Sequence, residues 1–122
     1  INELLCKARR TITYNDFYYT NMVVAKDNTS ALMFDYNLLG KGYAYTDVRN
    51  VLSSLSEKAG KAFLNEYGEY DPVEKALDDV VSVVVTLHLA CQRDEFPWWA
   101  QALLDELDST FIEKMECLRR LL

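Results

Sequence analysis

The sequence predicts a mainly helical α+β fold, with a short N-terminal helix and a Tyr-rich β-hairpin packed on three long C-terminal helices. An all-α bundle is the alternative. Three observations carry this prediction. Apolar residues alternate with their neighbours in two runs between Tyr18 and Leu38, the period of half-buried strands. After Tyr45 the apolar spacing changes to that of amphipathic helices,. Half of the 122 residues are apolar and only six are Gly or Pro, which suits a single compact domain, residues 1–122, with an unaided core.

Ile1, Leu4, Leu5, Ala8 and Ile12 follow helical spacing, with Lys7, Arg9 and Arg10 where cations suit a helix C-terminus,. A short helix ending near Thr11 is expected. Tyr18, Thr20, Met22 and Val24, then Leu32, Phe34, Tyr36 and Leu38, make the two arms of a hairpin around Lys26–Ser30,. The competing reading is a helix that starts at Asn28 or Ser30 and stops at Gly40. Gly40-Lys41-Gly42 reads as a loop, with Tyr43 and Tyr45 in a short third strand.

Thr46 reads as the N-cap of a helix whose stripe is Val48, Val51, Leu52, Leu55, Ala59, Ala62, Phe63 and Tyr67, and Gly68 ends it,. Asp71-Pro72-Val73-Glu74 restarts the chain with a capping Asp and Pro at the first helical position,. The run Val80–Leu87 is β-branched, but its cap and length favour a helix. Its polar stripe is Lys75, Asp79, Ser82, Thr86 and Arg93, so this helix is expected to be central and the most buried, Val84 included. Pro97 breaks the chain. The last helix then carries Trp99 or Ala100, Leu103, Leu104, Leu107, Phe111, Met115, Leu118 and Leu122 on one stripe.

Charge narrows the class of partner. Thirteen Lys and Arg against nineteen Asp and Glu leave a net charge of −6, the wrong sign for direct nucleic-acid binding by phosphate neutralisation. The excess is C-terminal: Glu66–Glu116 holds thirteen acids against Lys75, Arg93 and Lys114. Cys6, Cys91 and Cys117 are odd in number and widely spaced, which favours cytoplasm or another reducing compartment and reads as small buried hydrophobes. Val80–Cys91 is the longest apolar concentration and falls short of the roughly 20 residues of a membrane span. Ile1 is not an initiator residue, so the chain reads as trimmed or processed and no targeting signal can be read from it.

Chemistry-bearing patterns are sparse. His88 and Cys91 share a helix face but make only two ligands, so His88 reads as a packed core residue and neither metal nor cofactor is expected. Gly40-Lys41-Gly42 lacks the phosphate-loop frame, and no nucleophile elbow surrounds a Ser or Cys. Glu66, Glu69, Glu74, Asp78 and Asp79 are the remaining acidic set. Leu77-Asp78-Asp79-Val80-Val81 loosely resembles the second acidic motif of the all-α nucleotide pyrophosphohydrolases, which implies a Mg²⁺-dependent hydrolase as the alternative function. Their first motif, a glutamate cluster within one upstream helix, has no counterpart, because Glu66 and Glu69 straddle Gly68.

Aromatic usage points elsewhere. Six of the eight Tyr lie between Tyr14 and Tyr45, and Phe96, Trp98 and Trp99 gather at one helix start. Trp98 and Trp99 project about 100° apart on a helix, so one of them is expected in solvent or against a partner. The leading expectation is therefore a non-enzymatic acidic protein-interaction module of the inhibitor, immunity or anti-defence kind. It would meet a basic protein surface through Trp98, Trp99, Asp105, Glu106, Asp108 and Glu113, with a two-fold homodimer through the last helix as a further expectation.

Overall fold

The computed structural model describes residues 8–122. Among these are five α-helices and two small two-stranded antiparallel sheets, the mainly helical α+β class expected. Contacts divide the chain into two compact units, residues 8–70 and Asp71–Leu122.

In the first unit β1 (Thr11–Thr13) pairs with β4 (Gly40–Gly42), Thr11 opposite Gly42 and Thr13 opposite Gly40. β2 (Met22–Val24) pairs with β3 (Ala31–Met33), Met22 opposite Met33. The hairpin is thus present, shorter than its alternation suggested, because Tyr19–Asn21 forms a 3₁₀ turn. At its tip Ala25 N–H donates to Ser30 O at 2.9 Å and Asn28 adopts φ 59°. The Thr29 backbone N–H and hydroxyl hold the Asp27 carboxyl below its ordinary pKa there.

Two local expectations around this hairpin are corrected. The short N-terminal helix falls largely outside the described residues, but its expected end is absent: Ala8–Arg10 are not helical and Thr11 opens a strand. Gly40-Lys41-Gly42 is β4 and not a loop. Pairing with β1 makes it a strand, and its close approach to that strand demands the glycine, since any Cβ on Gly42 would run into Thr13 Oγ1 and Asn15 Oδ1. Tyr43 and Tyr45 form no third strand; Tyr43 is the N-cap of α1 (Ala44–Ser54), and Tyr45 is buried within that helix.

The core of this unit is polar as well as apolar. Val48 and Val51 of α1 are fully buried, and beside them lie Thr13, Asp47 and Asn50. Asp47 turns its carboxylate onto two successive backbone groups, accepting from Tyr14 N–H at 2.9 Å and Asn15 N–H at 2.7 Å. Asn15 has φ 64°, the left-handed conformation that aims consecutive N–H groups at one anion. Asn50 Nδ2 donates to Asn15 O at 3.1 Å while its Oδ1 accepts from Tyr18 Oη at 2.9 Å. Tyr14 Oη donates to Phe34 O. Burial first, then Asp16, pushes that hydroxyl above its ordinary pKa, keeping the donor protonated.

The helix expected from Thr46 to Tyr67 is two helices, α1 and α2 (Glu57–Tyr67). Serines interrupt it. Ser54 Oγ accepts from Tyr19 N–H at 2.7 Å, Leu55 is extended, and Ser56 caps α2 by accepting from Ala59 N–H, so local side-chain bonds replace helix continuation. Aromatic edges then join the hairpin to α2: Tyr36 to Tyr14, Tyr14 to Phe17, and Phe17 to Phe63, with Phe63 stacked on Tyr67. Gly68, at φ 92°, ends α2 as expected,.

The second unit is built on α3 (Pro72–Cys91). Asp71 caps it, accepting from Val73 N–H at 2.8 Å, with Pro72 at the first helical position. The β-branched run is helical, as length and cap imply. Its burial is narrower than expected, because α4 (Gln101–Asp105), α5 (Thr110–Arg120) and the 3₁₀ turn Trp98–Ala100 contact it while one face stays open. Ala76, Leu77, Val80, Val83 and Ala90 are buried, whereas Val84 is 53% exposed, with Val85 and Leu89 similar. Lys75, Asp79, Ser82 and Thr86 are half-buried at its side, Lys75 Nζ lying 2.5 Å from Asp79 Oδ2. The last helix is likewise interrupted, at Glu106–Ser109, where Asp108 and Ser109 offer the backbone side-chain competition and Phe111 N–H reaches back to Glu106 O at 3.0 Å.

Two outcomes follow from these caps and anchors. Asp47→Ala strands two amide donors and is expected to lower stability by about 3 kcal/mol, read from the urea midpoint; a loss below about 0.5 kcal/mol would be that of an ordinary surface change and would remove Asp47 as the anchor. Asp71→Ala is expected to cost roughly 1 kcal/mol in the same measurement.

Candidate functional site

The segment leaving α3 sets up the site. Pro97, extended, stops the preceding turn and starts the 3₁₀ turn Trp98–Ala100, closed by Ala100 N–H on Pro97 O at 3.0 Å. Ala100 is fully buried and pins this turn to the unit. Trp98, two residues earlier, is 87% exposed and Trp99 39% exposed. The inference that both rings cannot be buried by one face therefore holds. Trp99 is covered on one face by the Arg93 guanidinium, 5.5 Å from the ring centroid, a cation–π contact within the chain.

The four acids named with them differ in what they offer. Gln101 and Asp105, three and seven residues after Trp98, fall on the same side of the turn and α4 and are exposed; Gln101 Nε2 donates to Asp105 Oδ1 at 2.9 Å. Asp108 is exposed in the turn after α4. Glu106 is half-buried and its carboxylate is engaged by Lys114 Nζ at 2.6 Å, so its charge is spent inside the unit. Glu113 stands exposed in the first turn of α5. Trp98 and Asp105 are thus exposed on one side of the turn and α4, with Asp94 and Glu95 exposed just before them in the chain and Asp108 exposed in the interruption that follows. Asp71–Leu122 carries eleven acids against five bases, while residues 8–70 carry seven of each, so the unit holding Trp98 also holds the charge.

The other candidates lie elsewhere. Glu66 and Glu69 are exposed at the end of the first unit, and Glu74 is buried in α3 near its start. Asp79 is paired with Lys75, and Asp78 is half-buried. Among the described residues no group of three or more His, Cys, Asp or Glu side chains is placed to hold a metal ion. His88 is exposed beside Gln92, 2.8 Å away, and is no core residue. Cys91 and Cys117 are exposed free thiols and not buried hydrophobes, because they lie off the buried faces of α3 and α5; Cys6 lies outside the described residues. Among the described residues no helix is long and apolar enough to cross a membrane.

Sequence reasoning missed one exposed surface. Ile112 falls outside the last stripe as read from spacing and is half exposed, and Met115, read as part of that stripe, is half exposed beside it. The signal was present, since Ile112 and Phe111 are adjacent and cannot both face α3.

The chain matches no protein-family model, no curated protein and no solved structure.

Trp98→Ala removes a ring that buries almost nothing, and is expected to leave stability within about 0.5 kcal/mol by thermal melt. A loss of several kcal/mol, typical of a core aromatic, would mean that Trp98 supports the fold.

Proposed function

We propose that this chain is a non-enzymatic, acidic protein-interaction module of the inhibitor, immunity or anti-defence kind, which binds a basic surface on a partner protein. The observation that carries the reading is Trp98, exposed on a short turn pinned by buried Ala100 and flanked by Asp94, Glu95, Asp105 and Asp108. A large ring held in water on a fixed backbone has little ordering to lose on binding, which is the property of an interface anchor. The surrounding carboxylates would steer a basic surface toward it and set its orientation. Arg93 over Trp99 illustrates within the chain the chemistry that the open faces of Trp98 offer to a partner's Arg or Lys,.

The reading is tested by titrating an arginine-rich peptide while following tryptophan emission. Saturable binding that weakens as salt rises, and that Trp98→Ala and Asp105→Lys each reduce at least tenfold, is the expected result. Binding that is indifferent to salt, or unchanged in both variants, would overturn it.

A further inference from the structure

Among the described residues one side of α5 is turned inward: Leu118 is buried and Phe111 and Lys114 are half-buried. The neighbouring side, by 100° per residue, carries Ile112, Met115, Glu116 and Arg119, with Leu122 just past the helix end. Ile112 is 51% and Leu122 64% exposed, and Met115 lies open between them. Two shallow hollows of about 220 and 340 Å³ run along this strip, the first lined by Met115, Leu118, Arg119 and Leu122, the second by Ile112, Met115, Glu116 and Arg119. An exposed apolar strip with charges along it marks a contact surface.

The charge pattern identifies the occupant. Apart from Lys114, which is turned inward to Glu106, acids occupy the first half of the helix, Glu113 and Glu116, and bases the second, Arg119 and Arg120; Arg120 lies 3.7 Å from Glu116 along the helix, both exposed, and Arg119 is left to face outward. A basic partner laid along it would meet two arginines, and an acidic one two glutamates. A second α5 running antiparallel meets neither repulsion. With a two-fold axis crossing the strip near Cys117 and Leu118, Glu116 of each copy lies opposite Arg119 of the other, and Ile112 lies opposite Leu122, with Met115 and the aliphatic stem of Arg119 between. A parallel pairing would set Glu116 against Glu116. We propose that α5 is a self-association face, which joins two copies of this chain about a two-fold axis. A face of one helix is at the small end of interface sizes, so the test runs up to millimolar concentration. This surface is separate from the Trp98 face and does not depend on its reading.

Sedimentation equilibrium over a concentration series from micromolar to millimolar is the test. The unsubstituted chain is expected to pass from the mass of one copy to that of two, and Arg119→Glu and Glu116→Arg each to remain monomeric. The charge-swapped chain with both substitutions is expected to regain the dimer. Ile112→Lys, which touches neither charge, should weaken it at least tenfold, and Trp98→Ala should leave it unchanged. A monomer throughout the series would overturn the proposal. So would a dimer that survives both single charge reversals, a swap that fails to restore it in a chain with native circular dichroism, or a dimer lost in Trp98→Ala.

Discussion

The carboxylate of Asp47 is the point on which the architecture of residues 8–70 depends. It sits on α1, yet its two acceptor oxygens serve Tyr14 and Asn15 immediately after β1, so one side chain ties helix to sheet. The left-handed Asn15 carries a conformational cost, which its bond to this carboxylate helps to offset. With it, Asn15 places its own side chain where Thr13 and Leu38 O bond to it, and where Gly42 must be without a side chain. Strand pairing, the turn after β1 and the seating of α1 are therefore consequences of one polar contact, and the apolar contribution of Val48 and Val51 is built around it.

The second unit is organised by different means. Asp71 and Pro72 start α3, small buried residues such as Ala76, Ala90 and Ala100 allow close approach, and the charge is left at the surface. Confining the acidic excess to this unit separates two demands. The neutral unit keeps a polar core that needs its hydrogen bonds intact, and the acidic unit presents ionised side chains without disturbing that network. Its large apolar groups in water, Trp98 and the α5 strip, differ in local charge, one among acids and the other bipolar.

The sequence made the helices and their caps readable wherever a cap is a local affair. Asp71, Pro72 and Gly68 act within a few residues of themselves, and each was legible. The hairpin was legible from its alternation, and the exposure of one Trp from helical geometry alone. What spacing concealed were long-range partners. Asp47 reads as a first-turn acid until β1 supplies its donors, and Gly42 reads as a loop glycine until Thr13 and Asn15 press against it. Ser54 and Ser56 look like ordinary helix positions until Tyr19 N–H claims one of them. The exposure of Val84, Val85 and Leu89 was hidden for another reason: apolar composition tells which faces can be buried, and not whether enough neighbours exist to cover them.

The two strand pairs are nested, the Met22–Met33 pairing lying wholly between the Thr13 and Gly40 that pair outside it. Chain closure costs entropy that grows with the number of free residues enclosed. Once the inner hairpin is zipped, the segment that must be closed to bring Gly40 to Thr13 is much shorter in effect, and Phe34 O is already positioned for Tyr14. The order of assembly is thereby built into the topology: the tip forms from neighbours in the chain, and the distant pairing follows across a loop that has already lost most of its freedom.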